Sequence, residues 1–250
     1  MKEQEMALQN IIYKIRIGST LYGTYVENSS DEDFSGVFIP EKEYVLGTKK
    51  VEQVSLSQKT SKTIRNQVGD VDYVLYALPK FINLLTGNNP NIIEFLYVPK
   101  PCIIYSNAYA DELIENRNLF LSKKAYHTFK GYSYAQRQKL VVKKENMTGR
   151  TELALKFGYD VKFASHLIRL LLEGLQILTE KTLTFPLPEN NLVRDIKLGK
   201  YELKWVLDKA EYLEKLVDEA YIKSDLQYTA NFEEINKLQI KMLEDYWNGH

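Results

Sequence analysis

The stretch from residue 15 to residue 39, Ile-Arg-Ile-Gly-Ser-Thr-Leu-Tyr-Gly-Thr-Tyr-Val-Glu-Asn-Ser-Ser-Asp-Glu-Asp-Phe-Ser-Gly-Val-Phe-Ile, limits what this chain can fold into more than any other. Two strand-like runs, Ile11 to Ile17 and Phe34 to Ile39, bracket a Gly18-Ser19 turn, a short helix-compatible segment and the acidic step Asp31-x-Asp33. Glycine after a strand lets the backbone approach a ligand closely, and free N–H groups at a helix start attract anions. On an extended strand residues i and i+2 point to one side, so Asp31 and Asp33 face a common site. Two hard oxygen anions on one face suit Mg²⁺, which keeps part of its water shell and shares the rest with substrate phosphates. An anion cradle beside magnesium carboxylates implies a bound nucleoside triphosphate. Each half alone is commonplace, since Gly-Ser is a frequent turn and Asp-x-Asp after Ser-Ser a frequent solvated loop. Their order and spacing make one strand–turn–helix–strand unit, which favours the joint reading.

At 250 residues with 44% apolar content, 18 Tyr and 10 Phe, the chain is long and apolar enough for one large domain or two modest ones. A single cysteine, Cys102, rules out a disulfide framework within the chain and fits a reducing compartment. Its neighbours Pro101, Ile103 and Ile104 mark it as a buried structural thiol. No signal-type start and no run of 18 apolar residues is present, so a cytoplasmic, membrane-free protein is expected. Net charge is zero, which argues against a protein that coats nucleic acid generically. The charge is nevertheless segregated. Lys123 to Arg169 holds eleven Lys/Arg against three Asp/Glu, and Leu170 to the end holds ten against fifteen. The middle is electropositive, and the C-terminal helices form an acidic outer layer.

Along the chain, Met1 to Gln9 reads as a helix feeding the first strand. Val51 to Leu56 and Asp70 to Leu75 read as further strands, and Leu78 to Leu85 as a helix stopped by Gly87-Asn88-Asn89-Pro90. A second short helix, Asn91 to Tyr97, precedes Pro99-Lys100-Pro101, the best hinge candidate, and Ile103 to Ser106 extends or connects the sheet. From Asp111 the pattern is mainly helical. It includes Ala164 to Thr179, a break at Phe185-Pro186-Leu187-Pro188, and an amphipathic Tyr201 to Tyr221. The expected division is residues 1–108, a domain built on the sheet, and residues 109–250, a helical domain.

Three further groups carry candidate chemistry. A third carboxylate, Asp70 or Asp72, enters the sheet if its strand pairs beside the one bearing Asp33; either is otherwise a strand-edge acid. Lys130, Tyr134 and Arg137 fall at i, i+4 and i+7 on one helical face, able to hold a triphosphate tail and stack on a base, or equally an ordinary solvated face. Lys162, His166 and Arg169 repeat that spacing on a helix that otherwise reads as core. Cations there need partners, because buried charge without one is costly. Triphosphate oxygens or Asp160 are the natural ones, and His166 is alternatively a satisfied core histidine.

Gly18-Ser19-x-x-Tyr22-Gly23-Thr24 followed by Ser30-Asp31-x-Asp33-x-x-Gly36-Val37-Phe38 resembles the nucleotidyltransferases of the DNA polymerase β superfamily. More narrowly, it is similar to the bacterial and phage branch called the RNA repair pathway DNA polymerase β family. The likeness continues through Asp72-x-x-x-Tyr76-x-Leu78, Gly87-Asn88-x-Pro90-Asn91, Phe129-x-Gly131-Tyr132, Tyr159-Asp160-x-Lys162 and His166-x-x-Arg169-Leu170. The resemblance implies an α+β fold: a nucleotidyltransferase-type mixed sheet flanked by helices, followed by an α-helical C-terminal domain that closes over the nucleotide. It implies transfer of a nucleoside monophosphate from an NTP, ATP foremost, with two Mg²⁺ ions (or Mn²⁺) and release of pyrophosphate. Gly18 and Ser19 would hold the β- and γ-phosphates. Asp31 and Asp33 would bind metal, and so would Asp72, which family spacing favours over Asp70, on the acceptor side. The implied acceptor is an RNA end. A protein hydroxyl modified by AMP is the rival from the same chemistry, and a non-catalytic nucleotide-binding regulator the rival from another class.

Overall fold

The computed structural model describes residues 2–26, 33–58, 71–140 and 156–249, with the backbone alone described at 57, 58, 71 and 72. Among the described residues five strands carry the N-terminal half: β1 (Ile11–Ile17), β2 (Asp33–Phe38), β3 (Gln53–Gln58), β4 (Val71–Ala77) and β5 (Ile103–Ser106). They form one mixed sheet in the order β3-β4-β2-β1-β5. β2 and β4 run parallel, and the other neighbours are antiparallel. This is the expected α+β architecture, a mixed sheet flanked by helices with a helical C-terminal half.

Both faces of the sheet are covered. Met6 and Ala7 of α1 (Lys2–Gln9) and Tyr44 of α3 (Lys42–Val45) pack on Phe38, Val54, Tyr73, Leu75 and Ala77. The other face, with Ile15, Val37 and Ile39, joins a core that runs on into the helices. Between β1 and β2 lies the one-turn α2 (Ser19–Tyr22). After β4 come α4 (Leu78–Thr86) and α5 (Pro90–Ile93), separated where the sequence supplies Gly-Asn-Asn-Pro. Asn88 sits there with a left-handed φ of 50° and no exposure. Its side chain donates to the Phe120 carbonyl and accepts from the Ser122 N–H, and its carbonyl accepts from Thr128. One buried amide therefore satisfies two backbone groups of the 120–122 segment.

The remaining helices among the described residues are α6 (Ala108–Glu115), α7 (Lys124–Leu140), α8 (Val161–Glu180), α9 (Asn190–Lys197), α10 (Leu203–Lys223) and α11 (Phe232–Gly249). α8 is buried on almost every side, as a helix apolar all round must be. Asp160 caps it, accepting from the N–H groups of Lys162 and Phe163 at 2.9 and 3.1 Å. Gly174 lets α7 come close, since a Cβ there would lie 3.0 Å from that of Phe129. The expected stripe on α10 is buried at Val206, Ala210, Leu213 and Val217. α11 returns to the N-terminal half, where Trp247 Nε1 donates to the Pro40 carbonyl.

Pro99-Lys100-Pro101 opens a short 3₁₀ turn, Lys100–Cys102, and the residues around it, Val98 and Cys102, are buried. The larger of the two core clusters among the described residues runs from Ile12 to Tyr246 and crosses the 108/109 position. Cys102 is free and buried, as its neighbours implied. Among the described residues no helix is long and apolar enough to cross a membrane.

Candidate active site

Gly18 has φ 71° and ψ −145°, a backbone conformation that side-chain-bearing residues avoid. A Cβ at this position would lie 2.7 Å from Oδ2 of Asp33. The turn is therefore glycine for two reasons: its dihedral angles, and the carboxylate lying against its backbone. Strand register explains the contact, because Ile17 on β1 is paired with Asp33 on β2. The same residue, Asp33, is the register partner of Asp72 on the parallel strand β4. The sheet so brings Asp33 beside position 72 on the neighbouring strand and beside Gly18 at the end of β1. Gly36, three pairs further along, is required by packing: a Cβ would meet the Tyr13 carbonyl oxygen at 2.4 Å.

Asp31 and Asp70 lie outside the described residues, and Asp72 is described by its backbone only. Asp33 is half-buried. The Asp33 carboxylate pressed against a glycine backbone that any Cβ would crowd is one hard-oxygen donor of the kind Mg²⁺ takes, and among the described residues no cluster of three His, Cys, Asp or Glu side chains surrounds it.

Arg169 is buried, and its partners are neither Asp160 nor open space. Its Nη1 donates to both carboxylate oxygens of Glu173, one turn on, at 2.9 and 3.1 Å, and lies 3.5 Å from Glu94. Its guanidinium carbon lies 4.1 Å from the centre of the Tyr22 ring. The Tyr22 hydroxyl in turn donates to Glu94 at 2.8 and 3.0 Å. Two carboxylates thus share one guanidinium inside the protein. Burial pushes Glu94 and Glu173 above the ordinary carboxylate range although Arg169 pulls both down. Burial likewise raises the Tyr22 hydroxyl well above its usual value. Arg169 stands out in the sequence as a cation inside an apolar helix, and the same signal, a charge in an apolar run, marks Glu173 in Leu170 to Leu178 and Glu94 in Ile92 to Tyr97.

Lys162 and His166 share the face of α8 that carries Arg169, by their i, i+4, i+7 spacing. Lys162 is exposed and His166 half-buried. The α7 face goes elsewhere. Lys130 forms an ion pair with Asp218 and a hydrogen bond with Tyr126, and Arg137 pairs with Glu214 at 3.1 Å. Both acids belong to α10, so the basic middle and acidic end of the chain neutralise each other along this helix contact. Tyr134 is 60% exposed. A groove of about 380 Å³ runs between α8 and α10, past Leu172, Leu175 and Leu216. Neither Gly18 nor Asp33 lines it, and its leucine walls mark an interhelical surface groove unrelated to the carboxylate site.

A family model described as the RNA repair pathway DNA polymerase beta family matches residues 1–241. The chain belongs to that family. It is the family that the resemblance at Gly18-Ser19 and Asp31-x-Asp33 implied. Similar curated proteins include "Uncharacterized protein MJ0002" of Methanocaldococcus jannaschii, 28% identical over 155 residues, 62% of this chain and 60% of that one. Another is the "Uncharacterized 38.9 kDa protein in nrdC-mobD intergenic region" of Enterobacteria phage T4, 29% identical over 97 residues, 38% of this chain and 28% of that one. The chain thus spans less than two thirds of either relative's length. Among solved structures, a nucleotidyltransferase-like protein from Exiguobacterium sibiricum 255-15 aligns with 89% of this chain and 72% of its own, at 10% identity and a TM-score of 0.31.

Proposed function

We propose that this chain transfers a nucleoside monophosphate from a nucleoside triphosphate, ATP foremost, to the hydroxyl of an RNA end, releasing pyrophosphate. The observation that carries the reading is the Gly18 backbone against the Asp33 carboxylate, with position 72 as Asp33's register partner. In this reading Gly18 and Ser19 hold the β- and γ-phosphates, and Asp31, Asp33 and Asp72 hold two Mg²⁺ or Mn²⁺ ions. Bound there, the ions would supply positive charge for the attacking and leaving oxygens. The acceptor oxygen bonds to the α-phosphorus as the bond from that phosphorus to the β-phosphate oxygen breaks, and pyrophosphate leaves with the electron pair. Asp72 receives the acceptor's proton. Lys162 and His166 face the triphosphate tail from α8.

Incubation with each α-labelled NTP, Mg²⁺ and either total RNA or total protein tests the reading by asking which fraction keeps the label. Label in RNA is expected, with ATP strongest. Asp31→Asn combined with Asp33→Asn should keep the fold by circular dichroism and lose transfer by at least ~100-fold, the scale of removing a strong transition-state stabiliser. Turnover by that variant at the wild-type rate overturns the metal assignment. Nucleotide binding without label in any fraction leaves a regulator.

Label in a protein band selects a second reading, AMP transfer to a protein hydroxyl. One observation favours it: Lys130 and Arg137 are occupied by Asp218 and Glu214, so less of the basic middle segment remains for an RNA backbone. Lys143, Lys144 and Arg150, three further cations of that segment, lie outside the described residues. Their neutralisation should weaken RNA labelling, flatten its loss with salt and spare NTP binding if RNA is the acceptor.

A further inference from the structure

Gly18 opens the one-turn helix α2, and Tyr22 closes it. The two ends are tied by the backbone, with the Tyr22 N–H donating to the Gly18 carbonyl at 3.2 Å and the Thr24 N–H to the Ser19 carbonyl at 2.9 Å. One turn has little slack, so a shift of Tyr22 carries Ser19 with it. What holds Tyr22 comes from distant parts of the chain. Glu94 takes its hydroxyl, Arg169 of α8 covers its ring, and the Phe185 ring lies 6.0 Å away. Beyond it, a Cβ on Gly23 would lie 2.8 Å from Cβ of Pro186.

Stability alone does not call for this arrangement. Replacing a buried ion cluster with well-packed apolar groups is often neutral or stabilising, and what a charged cluster adds is a defined geometry. A hydroxyl seated on both oxygens of a carboxylate, with its ring under a guanidinium, has one position. Arg169 is 4% exposed and covered by that ring, so it reaches the turn through Tyr22.

We propose that Tyr22 is a positioning residue for the Gly18-Ser19 turn, held by Glu94 and Arg169 so that the helical half of the molecule sets that turn against Asp33. The inference rests on the nucleotidyl-transfer reading for its consequence, but its mechanical core can be measured without nucleotide. Tyr22→Phe keeps the ring over Arg169 and deletes the hydroxyl. Amide hydrogen exchange at residues 18–24 of the nucleotide-free protein should then quicken, and the affinity for Mg·ATP should weaken, each by ~10-fold, the lower end of what a hydrogen bond to a charged group contributes. Glu94→Gln keeps an acceptor for the hydroxyl and leaves Arg169 paired with Glu173, so it should stay near wild type in both readouts. Glu94→Leu removes the acceptor by a second route and should reproduce Tyr22→Phe, including where Tyr22→Phe itself folds poorly.

A lowered thermal midpoint with exchange at 18–24 and ATP affinity of the folded protein unchanged in Tyr22→Phe and Glu94→Leu would overturn the proposal and leave Tyr22 an ordinary core residue. Faster exchange at 18–24 in a protein whose wild type does not bind Mg·ATP would support the positioning link and defeat the nucleotide reading of the turn instead.

Discussion

Two groups of cations sit on neighbouring helices of this molecule, and burial separates what they do. On α8, Arg169 is enclosed with Glu94, Glu173 and Tyr22. On α7, Lys130 and Arg137 pair with Asp218 and Glu214 of α10, and their side chains keep 34% and 33% of their exposure. Both groups were candidates for the same task, contact with a triphosphate. In the enclosed group water cannot replace a lost partner, so each member depends on the others and the cluster holds a position. In the open group water and salt compete with every pair, so the contacts join two helices loosely. Both helices carry candidates at the spacing i, i+4, i+7, yet on α8 only Arg169 of that set is enclosed, whereas on α7 Lys130 and Arg137 join a solvated seam.

The largest test of that contrast is Arg169→Met. It strands two buried carboxylates and should cost ~3–5 kcal/mol, the usual penalty for removing one partner of a buried pair. Urea unfolding measures it. A loss no greater than that of Arg137→Ala would erase the distinction between the clusters.

A second test uses pH. Glu94 and Glu173 bind a proton more tightly folded than unfolded, because burial raises them. The folded state therefore holds more protons than the unfolded one once pH exceeds the ordinary carboxylate range. Stability from this source is fully present at pH below that range and declines as pH rises through the raised values. Glu94→Gln should gain on the wild type as pH rises from about 4.5, read as the difference between their urea midpoints. A constant difference across that window would place no shared proton in the cluster.

Glycines sharpen the contrast on the same two helices. Gly131 on α7 faces open space, so Gly131→Ala should stabilise by up to ~1 kcal/mol through helix propensity. Gly174 on α8 faces Phe129, whose Cβ would be 3.0 Å from an added Cβ, so Gly174→Ala should lose at least that gain. Thermal midpoints of the two variants should move in opposite directions.

The smallest effect belongs to the surface seam. Lys130→Ala with Arg137→Ala should cost no more than ~1 kcal/mol per pair at low salt, and the loss should shrink in about 1 M salt. A salt-independent loss would mean the seam is as enclosed as the Arg169 cluster.

Much of the fold was legible because local chemistry and tertiary structure agree. Strand runs at Ile11 to Ile17 and Phe34 to Ile39, the stop at Gly87-Asn88-Asn89-Pro90 and the apolar stripe of α10 all appear within a few residues of their expected bounds. Pro99-Lys100-Pro101 shows where local reading ends: proline punctuates the chain there, yet the flanking residues are core. Within the site, glycine at 18 and carboxylate at 33 were both readable, since each residue type announces a backbone or charge requirement.

What the sequence determined by itself is the set of groups with unusual needs: a glycine after a strand, an Asp-x-Asp step before another, an arginine inside an apolar helix. Each need is local and can be seen in a few neighbouring residues. Which group answers it was decided only by the tertiary structure. Arg169 meets Glu94, which lies 75 residues earlier (169 − 94), and Tyr22, which lies 147 earlier (169 − 22). Asp33 meets position 72 through a parallel register that no short window contains. Charge and sterics state that a partner must exist, whereas its identity depends on how distant segments pack.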